Sequence, residues 1–108
     1  MFHDEFTLEW PQSGGRIRGR DNFVQVNTRY PAAEPWRFAV HRIVADDGGA
    51  VSDVTVTDGA VVARAISFFA MRDGRIWRMT EFWPDPFAPQ EWRAAWVGRF
   101  DPGAPVMP

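Results

Sequence analysis

The chain has no cysteine and no lysine. Without cysteine there are no disulfides, no thiol nucleophile and no Cys-ligated metal. Without lysine, Schiff-base chemistry is excluded. His3 and His41 are the only imidazoles, and no H-x-x-x-H spacing joins them into a metal pair. No apolar h-region opens the chain and no run approaches the eighteen apolar residues a membrane helix needs, so a cytoplasmic protein with no membrane contact is the default expectation. The twelve basic residues, all arginine, are outnumbered by fourteen acids, for a net charge of -2; this is not the basic surface of a nucleic-acid binder. Gly14-Gly15 lacks the G-x-G-x-x-G context of a phosphate-binding loop, and no cofactor is implied.

What is present is aromatic. Six Trp and nine Phe in 108 residues supply large areas for one core, and such rings also line ligand cavities. The length bounds the chain to one domain, taken as residues 1–101, with Pro102–Pro108 as a flexible tail.

The organising stretch is Ser67–Trp83, SFFAMRDGRIWRMTEFW, in which two apolar runs flank Asp73-Gly74. Asp-Gly favours the two-residue type I′ hairpin turn. Regular pairing away from that turn sets Arg72 opposite Arg75, Ala70 opposite Trp77, Phe68 opposite Met79, Ile66 opposite Glu81 and Arg64 opposite Trp83. Strand alternation then gathers the last eight on one face, with Arg64 and Glu81 as diagonal neighbours. A charged pair among aromatics is either the working part of a pocket or a structural ion pair, and the pattern alone leaves both open.

Residues 5–10 alternate as a short strand with Phe6, Leu8 and Trp10 on one face. Asp21 to Arg29 reads as a helix carrying Phe23, Val26, Asn27 and Tyr30 on one stripe, ended by Pro31. Residues 36–45 and 50–57 are strands, and Val61–Met71 and Ile76–Trp83 complete the sheet. Ala88 to about Phe100 has helical spacing, with Pro89 in the first turn, and Trp92 and Trp96 are expected to anchor it. The order β, α, four strands and a terminal helix predicts an α+β domain, a curved antiparallel sheet wrapped around helices as a cone-shaped barrel.

The runs EWPQSGGRIRGRDN (9–22), RDGRI (72–76) and EFWPDPFAPQEWRAAWV (81–97) resemble the SnoaL-like branch of the nuclear-transport-factor-2-like superfamily across nearly the whole chain. The resemblance implies a cone-shaped α+β barrel, usually dimeric through the convex sheet face, in a group that includes ketosteroid isomerases, polyketide cyclases and epoxide hydrolases. Relatives usually begin with a long helix before the His-Asp segment found here at His3-Asp4. The open wall is then a truncation, a matter of an upstream start, or supplied by another subunit; apolar surface left bare favours self-association.

Two chemistries follow. Epoxide hydrolases of the superfamily use an Asp-Arg-Asp arrangement, to which Asp53, Arg64 and Glu81 are topologically similar. Isomerases and cyclases use a lone carboxylate base, for which Glu81, Asp53 and Glu9 are the choices, with His41 a possible acid partner. Trp10, Trp77 and Trp83, with Ile66, Phe68, Met79 and His41, would line a pocket for a small apolar or polycyclic molecule. The expectation is thus a homodimeric small-molecule protein of isomerase, cyclase or hydrolase type. The alternative is a non-catalytic binding or structural dimer.

Overall fold

The turn at Asp73-Gly74 forms as the sequence predicts. In the computed structural model, which describes residues 1–101, both turn residues have positive φ, 54° and 70°, the type I′ signature. The turn joins β5 (Val62–Arg72) to β6 (Arg75–Phe82). The remaining elements are β1 (Phe2–Trp10), β2 (Gly15–Arg18), α1 (Arg20–Arg29), β3 (Arg37–Ala45) and β4 (Gly49–Thr57). The six strands make one sheet, in the order β2-β1-β6-β5-β4-β3. β1 runs parallel to β6, and every other neighbouring pair is antiparallel.

The pairing beyond the turn departs from the regular register. Arg72 faces Arg75 and Met71 faces Ile76, but Ala70 then faces Arg78, so Trp77 is an extra residue on β6. From there on Phe69 faces Met79, Ser67 faces Glu81 and Ile66 faces Phe82. A one-residue bulge reverses which side each downstream side chain takes relative to its expected partner. The cause lies in the core. Ile76 and Met79 both pack against Phe6, Leu8 and Ile17. Three positions apart on a regular strand, they would point to opposite faces. The bulge brings both inward and leaves the Trp77 ring beside the guanidiniums of Arg72 and Arg78, 4.8 and 4.2 Å from its centroid.

The core therefore sits at one end of the sheet. Phe6 and Leu8 of β1 alternate inward as read from the sequence, meeting Ile17 and Met79. α1 covers this end only, through Phe23, whose ring lies 5.5 Å from those of Phe2 and Phe6. Gly19, at φ 83°, turns the chain from β2 into the helix, a conformation that favours glycine. Asp21 lies in the first turn, where an acid suits the dipole.

The expected terminal helix is not formed. A single 3₁₀ turn at Glu91–Arg93 is the only helical element after β6 among the described residues. Trp92 and Trp96 are 72% and 81% exposed and do not anchor a helix among the described residues. An isolated helix of a dozen residues is marginal in water unless it buries an apolar face, and the large rings of this segment, Phe87, Trp92, Trp96 and Phe100, are all exposed. The expected tail from Pro102 onward lies outside the described residues. With one helix over one end of a six-stranded sheet, the radius of gyration is 16.4 Å, against about 13 Å for a typical 100-residue domain.

The β4–β5 connection is held by Asp58, only 4% exposed. Its carboxylate accepts the backbone N–H groups of Ala60 and Val61 within the loop and of Ala33 in the α1–β3 connection, at 3.0, 2.8 and 2.9 Å. These donors, Ala33 foremost, hold its pKa below the ordinary carboxylate value. The stabilisation is therefore complete above the unfolded-state value, about 3.9, and is lost as pH falls through the lower folded-state value. Asp58→Ala is expected to lower the thermal midpoint at neutral pH and to speed hydrogen exchange at Ala33, Ala60 and Val61. The difference from wild type is expected to vanish in strong acid; calorimetry and exchange mass spectrometry read both effects.

Candidate functional site

The bulge at Trp77 decides what shares a face with Glu81. On the inner side, the side of Phe6 and Leu8, pairing sets Glu81 beside Ser67 on β5 and two residues past Met79 on β6. Trp10 ends β1 on the same side, and Trp83 follows β6 two residues after Glu81. The indole N–H groups of Trp10 and Trp83 both donate to Glu81 Oε1, at 3.0 and 2.8 Å. The Ser67 hydroxyl donates to Oε2 at 3.1 Å. Gln12, in the β1–β2 turn, accepts the backbone N–H of Trp83 at 2.6 Å and ties that turn to the end of β6.

Ser67 is buried, while Glu81, Trp10 and Trp83 are half-buried. A carboxylate offers about four lone-pair positions. Two on Oε1 and one on Oε2 are taken here, so the group is fixed in orientation with acceptor capacity left on one oxygen. A carboxylate so held between two indoles can take a proton from a ligand or accept a hydrogen bond from one.

The outer side carries the other charges. Arg64 donates from Nε and Nη2 to the two carboxylate oxygens of Asp53, both at 2.5 Å, and each side chain is 28% exposed. The Arg64 hydrogen bonds hold the Asp53 pKa below its ordinary value, and the same bonds raise that of Arg64. His41, the extra residue of a bulge in β3, places Nε2 2.6 Å from Thr55 Oγ1 on this side. Ile66 and Phe68 lie here too, with the Phe68 ring edge-on to Phe82 at 6.1 Å.

The eight side chains expected on one face are therefore divided. Glu81, Met79 and Trp83 are inward, Arg64, Ile66, Phe68 and Ala70 are outward, and Trp77 stands at the bulge between two arginines. Of the other residues named from the sequence, Trp10 is inward, and Asp53 and His41 are outward. Arg64 and Glu81 are not diagonal neighbours: the sheet itself separates them, because one inserted residue shifts the register beyond the turn. Arg64 pairs with Asp53 instead. Ser67 was not singled out from the sequence. Its signal is a hydroxyl in the row Ala65, Ser67, Phe69, legible only once the register is known. Arg93 forms no ion pair with Asp85 or Glu81, and its Nε is buried without a hydrogen-bond partner among the described residues. Among the described residues no group of three or more His, Asp or Glu side chains is placed to hold a metal. No helix among them is long and apolar enough to cross a membrane.

Residues 1–79 match the SnoaL-like domain. Among solved structures, a candidate ketosteroid isomerase from Kribbella flavida is 31% identical, with a TM-score of 0.84 over 93% of this chain and 73% of that one. An NTF-2 like protein of unknown function from Burkholderia xenovorans is 27% identical, with a TM-score of 0.73 over 93% of this chain and 77% of that one. A candidate SnoaL-like polyketide cyclase from Jannaschia shares the fold, at a TM-score of 0.63 and 16% identity over 76% of this chain and 66% of that one. No curated protein matches.

The two carboxylates are expected to respond differently to removal. Glu81→Ala leaves two indole N–H groups and a buried hydroxyl without their acceptor, a loss of about 1–3 kcal/mol in urea unfolding, with a shift in tryptophan emission. Asp53→Asn breaks a partly exposed ion pair, a loss of about 0.2–1 kcal/mol. Because the folded-state pKa of Asp53 is lowered, that smaller loss is full above about pH 4 and disappears as pH falls through the folded value. Unfolding curves of wild type and Asp53→Asn should thus converge in acid.

Proposed function

This chain belongs to the SnoaL-like domain family, and on that premise we propose that it binds a small apolar or polycyclic carbonyl compound against its inner sheet face and uses Glu81 as a proton-transfer base. One observation carries the reading: a half-buried carboxylate, fixed by Trp10, Trp83 and Ser67, stands on the inner sheet face two residues past Met79 of the core. Trp10 and Trp83 hold Glu81 through their N–H groups and offer aromatic surface to a flat ligand. Ser67 fixes the second oxygen.

In the reaction proposed, Glu81 takes a proton from carbon next to the carbonyl. The C–H pair moves into an enolate, and the proton returns at the same or a conjugated carbon. This is isomerase or cyclase chemistry, in keeping with the names of the Kribbella and Jannaschia structures. The hydrolase variant requires Asp53, Arg64 and Glu81 around one water, and the sheet stands between them. Arg64 and Asp53 accordingly take no step in the scheme.

A second reading is favoured by the hydrogen bonding itself. Three donors on one carboxylate also describe a structural anchor that joins the β1–β2 turn, β5 and the end of β6 in a non-catalytic binding protein. In both readings the bare sheet surface is covered by a second copy, as a homodimer.

Deuterium exchange at the α-carbon of unsaturated polycyclic ketones, followed by NMR, separates the two. The catalytic reading expects exchange by wild type, and a fall of at least about 100-fold in Glu81→Gln with ligand binding retained. Binding without exchange by wild type establishes the second reading. Equal exchange by wild type and Glu81→Gln removes Glu81 from the chemistry.

A further inference from the structure

The polar side chains on the inner side of β3 to β6 fall in one row. Ser52 on β4 pairs with Ser67 on β5, and Ser67 pairs with Glu81 on β6. The rows on either side are apolar: Ala50 faces Phe69, Phe69 faces Met79, and Val54 faces Ala65. On β3 the polar row ends at Ile43. Ser52 is only 9% exposed, yet its hydroxyl makes no hydrogen bond among the described residues. Nor is that hydroxyl sealed in. Arg93 Nε is the only buried side-chain polar atom without a partner among those residues, so Ser52 Oγ keeps an opening onto the inner face. A hydroxyl this deep is disfavoured unless something from outside the chain meets it.

The two serines differ in what they offer. Ser67 gives its only hydroxyl proton to Glu81 Oε2, so it turns lone pairs to any other partner. Ser52 still has a proton to give. The two residues are directly opposed, which sets their Cα atoms about 4.5–5.5 Å apart, and their hydroxyls do not bond each other. One oxygen above the pair, at an ordinary separation of about 2.7–2.8 Å from each, can reach both. It must accept from Ser52 and donate to Ser67. A hydroxyl does both. A carbonyl or ether oxygen only accepts, and it sets its lone pairs against those of Ser67.

We propose that Ser52 is a specificity residue: together with Ser67 it holds a hydroxyl of the ligand, so the preferred compound is a hydroxylated polycyclic ketone. The inference rests on the inner-face binding proposed above and not on the proton transfer. Ser67 Oγ lies 3.1 Å from Glu81 Oε2, the oxygen with acceptor capacity left. A ligand hydroxyl held at Ser67 and a ligand carbon held at Oε2 are therefore close neighbours, on one ring or on two fused rings. A ligand hydroxyl reproduces the hydrogen bonds that water makes to such a pair, whereas an apolar ligand leaves the Ser52 hydroxyl unpaired. That asymmetry is the source of selection, because a site built to bond a hydroxyl discriminates against the analogue that lacks one.

The test is the affinity of the full chain, read from quenching of tryptophan emission, for a set of unsaturated polycyclic ketones. The hydroxyl is placed in turn at each position of the ring fused to the carbonyl ring, and each compound is compared with its methyl ether, its oxo form and its deoxy form. Wild type is expected to bind the hydroxyl form at one position or more about three- to tenfold tighter than all three analogues, the worth of a neutral hydrogen bond. Ser52→Ala is expected to bring that ratio close to one. Ser52→Thr, which keeps the hydroxyl, and Asp53→Asn, on the outer face, are expected to retain it. Circular dichroism checks the sheet; should Ser52→Ala not fold, Ser52→Cys, of similar size and a weaker donor, takes its place with the same expectation. A wild-type protein indifferent to the hydroxyl at every position overturns the proposal. So does a Ser52→Ala protein that loses affinity for all forms together and keeps the ratio, which would make Ser52 a structural residue. The exchange experiment on wild type is read separately. Hydroxyl preference without exchange upholds this inference and removes the catalytic reading, and exchange without preference does the reverse. Binding of none of the compounds removes the inner-face ligand and this inference with it.

Discussion

Ile76 and Met79 must both reach one core, and most of the architecture follows from that constraint. They are three residues apart on a strand, where alternation sends them to opposite sides. The protein resolves the conflict by spending one residue, Trp77, on a bulge. The gain is an inward Met79 against Phe6, Leu8 and Ile17. The local cost is an unpaired backbone position, with the displaced ring kept beside two guanidiniums. Every residue of β6 after the bulge inherits its direction from that adjustment, Glu81 included.

The two sides of the sheet thereby acquire different electrostatics. Outside, Asp53 and Arg64 satisfy each other in bidentate geometry, and neither is left to act on anything else. Such a pair, open to water, is a modest structural contributor. Inside, Glu81 has no cationic partner among the described residues. Its charge is met by neutral N–H and O–H donors alone. A carboxylate held this way is fixed in orientation and keeps part of its acceptor capacity. That contrast makes the inner carboxylate, and not the more conspicuous ion pair, the place to look for chemistry.

The sheet is also only half covered. α1 and the Phe2–Phe6–Phe23 cluster close the β1–β2 end, while β3 offers apolar side chains to solvent at the far edge. Buried aliphatic and aromatic side chains are each worth about 1.5–3 kcal/mol, and the exposed row of β3 gains little of that within the described residues. The Arg residues and the bulge at His41 on β3 are devices that keep an edge strand from pairing indiscriminately.

Much of this was legible in the sequence. Local rules set the type I′ turn at Asp73-Gly74, the inward row Phe6, Leu8 and Trp10, the helix ended by Pro31 and the α+β class, because each depends on residues close together in the chain. The motifs at 9–22, 72–76 and 81–97 carried the family. The pairing of Glu81 with Ser67 and the separation of Arg64 from Glu81 were not legible, since they rest on a bulge set by contacts between β6 and β1, strands some seventy residues apart in the chain. Nor was the fate of the segment after Pro84, whose helical spacing yields a single 3₁₀ turn with its large rings exposed among the described residues. Short-range stereochemistry wrote the elements into the sequence; the direction each side chain faces was decided by which apolar residues had to meet, and only the assembled sheet contains that information.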